Sequence, residues 1–326
     1  MADVAADNGP SDAQRDPPVR VAVVDVGTNS TRLLIADVDA DAAVREVDRR
    51  SIVTRLGESV DATGRLADAA MDRVRLVLDQ YRAAIDAADA SVAVAVLTSA
   101  VRDAANGPAF VAEVRDRYRL DARELSGDEE ASLTYLGATA GRPHEHPTLV
   151  IDVGGGSTEL VIGAGDEIRF HVSTQAGVVR QSERYVAHDP PRDFELQALT
   201  ADVRRIYAAA VPHAMTYVPE AAIGVAGTAT SLAALELELD RYDPAKVEGH
   251  VLERATCEMQ LARMSRMTLA ELRTLRGLHP DRASVIVAGT VLLVEALRLF
   301  GLERLVVSEH DLLYGVARAE ALRTGA

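Results

Sequence analysis

Two short stretches hold most of the side chains able to do chemistry. Asp25-Val-Gly-Thr-Asn-Ser-Thr-Arg32 and Asp152-Val-Gly-Gly-Gly-Ser-Thr-Glu159 share Asp, Val, Gly, Ser and Thr in the same order, and both run on into apolar segments. Each carboxylate closes an apolar run, which places Asp25 and Asp152 at strand ends, and glycine then permits a tight reversal. Gly27, Thr28, Asn29 and Ser30 in the first turn offer backbone N–H groups, hydroxyls and an amide. Gly154, Gly155, Gly156, Ser157 and Thr158 do so in the second. Successive N–H groups in such a turn make a concavity for anions. A strand-end carboxylate suits Mg²⁺, which takes oxygen ligands and keeps several waters. Asp and Gly also build ordinary hairpin turns. That explains one such stretch, but two near-copies at the starts of matching units favour a phosphate site. The copies differ at Arg32 and Glu159, and Arg32 reads either as a phosphate clamp or as half of an ion pair on a strand face.

Three more stretches have related chemistry. In Gly224–Leu235 a strand passes through Gly227-Thr228 into a helix whose free N–H groups and dipole favour an anion. Thr98, Ser99 and Arg102 fall just past a strand, where Arg102 either binds phosphate bidentately or pairs with a carboxylate. "SGDEEASLTYLGA" starts a helix, and acids in a first turn complement the helix dipole. This helix bridges the two halves of the chain, so one of Glu129 and Glu130 can also face a cleft as general base. His144 and His146 sit in a Pro-flanked linker. His279 and His310 read as capping residues, and Cys257 as packing.

These residues need elements to carry them. Arg20–Val26, Ser30–Val38 and the stretch from Val44 read as three strands. Leu66–Ala88 has apolar residues at helical spacing. Ser91–Thr98 is a strand, followed by a helix over Pro108–Tyr118. The second half restarts with strands from Thr148, Ser157 and Glu167, helices over Val178–Val186 and Phe194–Ala210, and a strand at Ala221. Helices over Leu252–Arg266 and Ala283–Phe300, a strand at Arg304 and a helix over His310–Leu322 complete it. The order β-β-β-α-β-α thus occurs twice, which implies an α/β fold of two similar domains around a cleft.

The 326 residues, 48% of them hydrophobic, describe a globular chain. The apolar run Val285–Val294 stops at Glu295, short of the ~20 residues of a membrane span. Residues 1–18 read as a disordered leader, and a lone cysteine without a signal peptide points to the cytoplasm. A net charge of −15 disfavours nucleic acid and anionic membranes as partners. Lys246 is the only lysine and follows no glycine, which excludes a Walker A loop.

Together the stretches resemble the exopolyphosphatase and guanosine pentaphosphate phosphohydrolase (Ppx/GppA) family from about Val19 to Ala321, with "LHPDRASVIVAGTVLL" and "VSEHDLLYGV" as further matching segments. The resemblance implies two actin-like (acetate and sugar kinase/Hsp70/actin) domains. They are expected at 19–126, completed by a helix over 310–326, and at 127–309 with a bridging helix over 128–140. It implies hydrolysis of a terminal phosphoanhydride of polyphosphate, with Mg²⁺ or Mn²⁺ as cofactor, in a homodimer. It carries the catalytic base over to Glu130, places Asp152 and Glu159 by the metal and water with Asp25, and makes Arg102 a phosphate ligand. The departures are Gly-Thr-Asn-Ser-Thr-Arg in the first turn, "STQAGVVRQSERY", and a chain that ends after two domains, which puts an extended polyphosphate channel in doubt. Guanosine pentaphosphate hydrolysis, a small-acceptor kinase and a non-catalytic nucleotide sensor are the competing readings.

Overall fold

The computed structural model describes residues 17–142, 145–212 and 217–324. The expected leader and His144 lie outside these, except for Pro17 and Pro18. In chain order the first half contains β1 (Val19–Val26), β2 (Ser30–Val38), β3 (Val44–Val53), α1 (Val60–Thr63), α2 (Asp68–Ala87), β4 (Val92–Leu97), α3 (Ser99–Arg102), α4 (Gly107–Tyr118) and β5 (Asp121–Glu124). Then come α5 (Gly127–Ala138), β6 (Thr148–Val153), β7 (Thr158–Ala164), β8 (Glu167–Thr174), α6 (Val178–Tyr185), α7 (Asp193–Ala210), β9 (Ala221–Val225) and α8 (Ala226–Glu236). The chain closes with α9 (Pro244–Val247), β10 (Val251–Glu253), α10 (Arg254–Met264), α11 (Leu269–Leu272), α12 (Ile286–Leu299), β11 (Arg304–Val307) and α13 (Leu312–Thr324).

Two mixed sheets form, a five-stranded one in the order β3-β2-β1-β4-β5 and a six-stranded one in the order β10-β11-β9-β6-β7-β8. In each, a strand carrying the key Asp pairs antiparallel with the next strand and parallel with a later one: β1 with β2 and β4, β6 with β7 and β9. The register sets Asp25 opposite Arg32 in one sheet and Asp152 opposite Glu159 in the other. The near-repeat in sequence is a repeat in topology.

Period-2 alternation explains why β1 reads as one apolar run. Ala22, Val24 and Val26 pack under α2 and α4, while Val21 and Val23 pack against Leu313, Val316 and Ala317 of α13. A strand buried on both faces has no polar alternation. In the second sheet Leu160 and Ile162 join the core under α7 and α12, and Val161 faces Ala131 and Tyr135 of α5. The helices α5 and α13 therefore lie between the two sheets and pack on each other.

The structure corrects several sequence boundaries. α2 starts at Asp68, α12 at Ile286 and α13 at Leu312, and residues 251–253 ahead of α10 form an edge strand instead of its first turn. β5 and the one-turn α1 and α3 were not expected. They are too short to show a periodicity.

Candidate active site

Each Gly turn is held from behind. In the first, Gly27 N donates to Ser30 O at 3.0 Å, Thr28 O accepts from Gly57 N at 2.8 Å, and Asn29 O accepts from Thr54 N and Arg55 N at 3.0 and 2.9 Å. In the second, Gly154 N donates to Ser157 O at 3.0 Å, and the Gly154 and Gly155 carbonyls accept from Val178 N and Val179 N at 2.9 and 2.8 Å. Gly156 O accepts from Arg180 Nε at 2.9 Å. The carbonyls are thus bound, whereas among the described residues the amides of Thr28, Asn29, Gly155 and Gly156 have no backbone acceptor. All four residues line one cavity of about 90 Å³. The turns are in contact, and a Cβ on Gly155 would stand 2.7 Å from Thr28 Cβ. Two anion nests face each other across a narrow gap.

Carboxylates surround this gap. Asp25 and Asp152 line it from their strand ends, with Glu130 from the first turn of α5. A capping box fixes that turn: Ser126 Oγ accepts from Glu129 N, and Glu129 returns a carboxylate oxygen to Ser126 N at 2.9 Å. Arg102 Nη1 donates to Glu130 Oε2 at 3.1 Å and to Leu125 O at 2.8 Å. Arg102 thus pairs with a carboxylate. Glu159 is buried behind Asp152 and accepts from Ser173 Oγ at 2.8 Å. Thr158 is also buried, with its hydroxyl donating to Ala176 O at 2.5 Å, so neither it nor Glu159 lines the cavity. Arg32 is an ion-pair residue. Its Nε and Nη2 reach Asp25 Oδ2 at 2.8 and 2.7 Å, and its Nη1 contacts Asp311.

Burial pushes the Glu130 carboxyl well above the usual carboxylate range, and the charge of Glu159 adds to this while Arg102 opposes it. Burial, then Asp311, pushes Asp152 up to about 7. Burial, then Asp152, pushes Glu159 up to about 7. Asp25 is raised by burial against the pull of Arg32. Asp311 is equally buried, but Arg32 and Arg49 bring it below the usual range. Like charges directly opposite each other in a sheet repel, so the Asp152–Glu159 pair calls for a cation.

The third wall is the start of α8, where Ala226, Gly227 and Thr228 line the cavity and Ala226 has φ of 61°, a conformation that favours glycine. Arg282 lies over this helix start. A Cβ on Gly227 would stand 1.2 Å from Arg282 Nη1. A cation at a helix N-terminus opposes the dipole. Arg32, Arg49 and Arg102 each have a carboxylate partner. Among the described residues Arg282 has none within ion-pair distance. A guanidinium, a helix N-terminus and two nests therefore line one cavity, and among the described residues no carboxylate pairs with the guanidinium. Arg282, Ala226, Gly227 and Arg32 also line an adjoining cavity of about 710 Å³, with Arg49, Tyr242 and Leu278.

Arg282 and Asp311 had no role in the sequence reading. The available signal was a cation just ahead of an apolar helix, against the dipole preference. Other expectations are simpler. His279 Nδ1 accepts from Asp281 N at 3.3 Å as a capping residue, whereas His310, also read as a cap, stacks its ring on Tyr314 with centroids 4.1 Å apart, and Cys257 is fully buried.

Two α/β halves, each presenting an amide-lined turn and a strand-end carboxylate to a shared cleft, define an actin-like fold built to handle phosphate. The profile of the Ppx/GppA phosphatase family matches residues 34–323, and the chain belongs to that family of phosphoanhydride hydrolases. It is 36% identical over 315 residues to Exopolyphosphatase 2 of Mycobacterium tuberculosis, covering 91% of this chain and 97% of that one. It is 30% identical to the bifunctional 3-dehydroquinate synthase/phosphatase of Fusobacterium nucleatum, covering 90% of this chain and 45% of that one. The crystal structure of an exopolyphosphatase-like protein superposes with a TM-score of 0.89 at 35% identity, over 95% of this chain and 100% of that one. That of the Aquifex aeolicus family member gives 0.80 at 30%, over the same shares.

Proposed function

We propose that this protein is an exopolyphosphatase that hydrolyses the terminal phosphoanhydride of inorganic polyphosphate and releases orthophosphate. The observation that carries the reading is Arg282, an arginine with no carboxylate partner among the described residues, held over a helix N-terminus beside two facing amide nests. A terminal phosphoryl group satisfies all three, and the Exopolyphosphatase 2 relative supports polyphosphate as its source. The cavity of about 90 Å³ suits one phosphoryl group, and the adjoining 710 Å³ space suits the rest of the chain. The two walls would be residues 19–126 with the last helix, and residues 127–309.

The donor set fits Mg²⁺ or Mn²⁺. Asp25 Oδ1 is buried without a hydrogen-bond partner, and both carboxylates lining the strand ends are oxygen donors. Among the described residues no three His, Cys, Asp or Glu form a ready cage. That accords with an ion that takes one or two carboxylates, waters and substrate oxygens. Asp25 and Asp152 would hold it, with Glu159 behind. When bound, it neutralises charge on the phosphate oxygens. Glu130 takes the proton from a water as that oxygen bonds to phosphorus and the bridging P–O bond breaks. Arg102 orients the Glu130 carboxylate. The amides of the nests and Arg282 hold the equatorial oxygens.

A second reading is guanosine pentaphosphate 5′-phosphohydrolase. The outer cavity is wider than a bare phosphate chain needs and includes Tyr242, Leu239 and Leu278, which suit a base. Phosphate release from long polyphosphate, short polyphosphate, guanosine pentaphosphate and ATP with Mg²⁺ separates the two. Glu130→Gln should lower turnover by roughly 10²–10⁴ with substrate binding retained. Unchanged turnover would remove Glu130 from the role.

A further inference from the structure

The segments that back the two nests are tied to each other. The first nest rests on residues 54–57, which lead into α1, and the second rests on the start of α6. Arg180 of α6, whose Nε holds Gly156 O, also contacts Asp61 of α1 through Nη1 and Asp103, just past α3, through Nη2 at 2.5 Å. Arg184 forks onto both oxygens of Asp61 at 2.5 and 2.6 Å, and Ser59 N donates to Glu183 at 3.1 and 3.2 Å. The side chains of Arg180, Asp61 and Asp103 are 11%, 20% and 25% exposed, so solvent screens these pairs only in part. None of these six residues, Ser59, Asp61, Asp103, Arg180, Glu183 and Arg184, lines either cavity.

We propose that Arg180, with Asp61, Asp103 and Arg184, forms a clasp that sets the spacing of the two phosphate-gripping turns. The chain itself passes between the sheets at the two ends that flank α5 and α13, whereas the clasp joins α1 and α3 to α6. It therefore fixes a separation that the covalent connections do not. One guanidinium serves the carbonyl behind the second nest and two carboxylates of the opposite half, so closing of the halves and shaping of the nest share one side chain. A planar fork can make three such bonds, and an ammonium on a flexible stem cannot hold the same geometry. Arg180 and its partners are positioning residues, because the phosphoryl group must meet both nests at once.

The inference rests on the phosphate-site reading, and its test has a readout independent of activity. Spin labels at Leu76→Cys on α2 and Met259→Cys on α10, both exposed positions on opposite halves, report the separation by pulsed EPR, and the native Cys257 is buried. The unaltered clasp should give one narrow distance. Asp61→Asn with Asp103→Asn should give a longer, broader one and lower kcat/KM roughly tenfold, since misplacement of this kind is costly. Arg180→Lys should do the same with charge retained, and Arg184→Gln, at a half-exposed site, should give a smaller shift in the same direction. A narrow, unshifted distance in folded Asp61→Asn/Asp103→Asn protein overturns the clasp, whether or not activity falls. If the unaltered protein releases phosphate from no polyphosphate or nucleotide, the functional reading fails while the distances still decide the clasp.

Discussion

Arg282 makes a specific demand on substrate binding. It occupies the place where a helix dipole repels it, and an anion between the two removes the conflict. Charge-assisted hydrogen bonds contribute about 1.5–3 kcal/mol, so Arg282→Ala should raise KM by roughly 10- to 100-fold. Its thermal unfolding should stay near that of the parent, because the guanidinium has no ion-pair partner among the described residues to lose. Steady-state phosphate release and a melting curve check both halves of the statement. At this scale the sequence was legible where residues travel together. Asp25 with its turn, Asp152 with its turn, and Glu130 beside its cap are short stretches, and the structure brings them to one gap. Arg282 and Asp311 arrive from distant parts of the chain, and no local pattern shows that Asp311 meets Arg32. Nor does the sequence show that Thr158 and Glu159 are each buried, on opposite faces of β7, because strand alternation assigns those faces only once the register is known.

The helix that carries Glu130 depends on a close crossing. A Cβ on Gly315 of α13 would stand 1.7 Å from Leu133 O of α5, and one on Gly137 would stand 2.0 Å from Asp311 O. Gly315→Ala should force the helices apart at a cost of about 1–3 kcal/mol, the range for overpacking a tight interface. Because α5 positions Glu130 and α13 follows Asp311, kcat should fall as well, and chemical denaturation with turnover measures both. The start of α5 could be read from Ser126 and Glu129 alone, since a capping box is a local device. Its crossing with α13 could not. The glycines that permit it are small residues in ordinary helical segments, and they show their purpose only when the partner backbone is in place.

Across the whole molecule, carboxylates crowded at the centre link stability to pH and to metal. Asp152 and Glu159 bind protons more tightly in the folded protein, where both stand at about 7, than in the unfolded chain. Their contribution to stability is full below the unfolded value near ~4 and is lost as pH rises through about 7. Metal-free protein should therefore melt progressively lower between those limits. Mg²⁺ should raise the midpoint more at pH 8 than at pH 5, because it binds the ionised form. Calorimetry with and without Mg²⁺ at the two pH values tests this, and an equal rise at both would contradict it. The doubled architecture was legible at this scale, since β-β-β-α-β-α is written twice in the sequence. That the last helix completes the first half was implied by the family resemblance, whereas nothing local in the sequence links Val21 and Val23 to Leu313.

That covering has a consequence for how the protein is made. The strands of the first sheet leave the ribosome well before α13, which follows every strand of both sheets and shelters one apolar face of the first. Domains generally fold in order of emergence, amino-terminal first. Here the face of the first sheet made by Val21, Val23 and Leu34 waits for α13 to emerge. Until α13 emerges the nascent chain presents an apolar face that no earlier helix covers in the folded protein, and a chain cut before residue 312 would leave that face open.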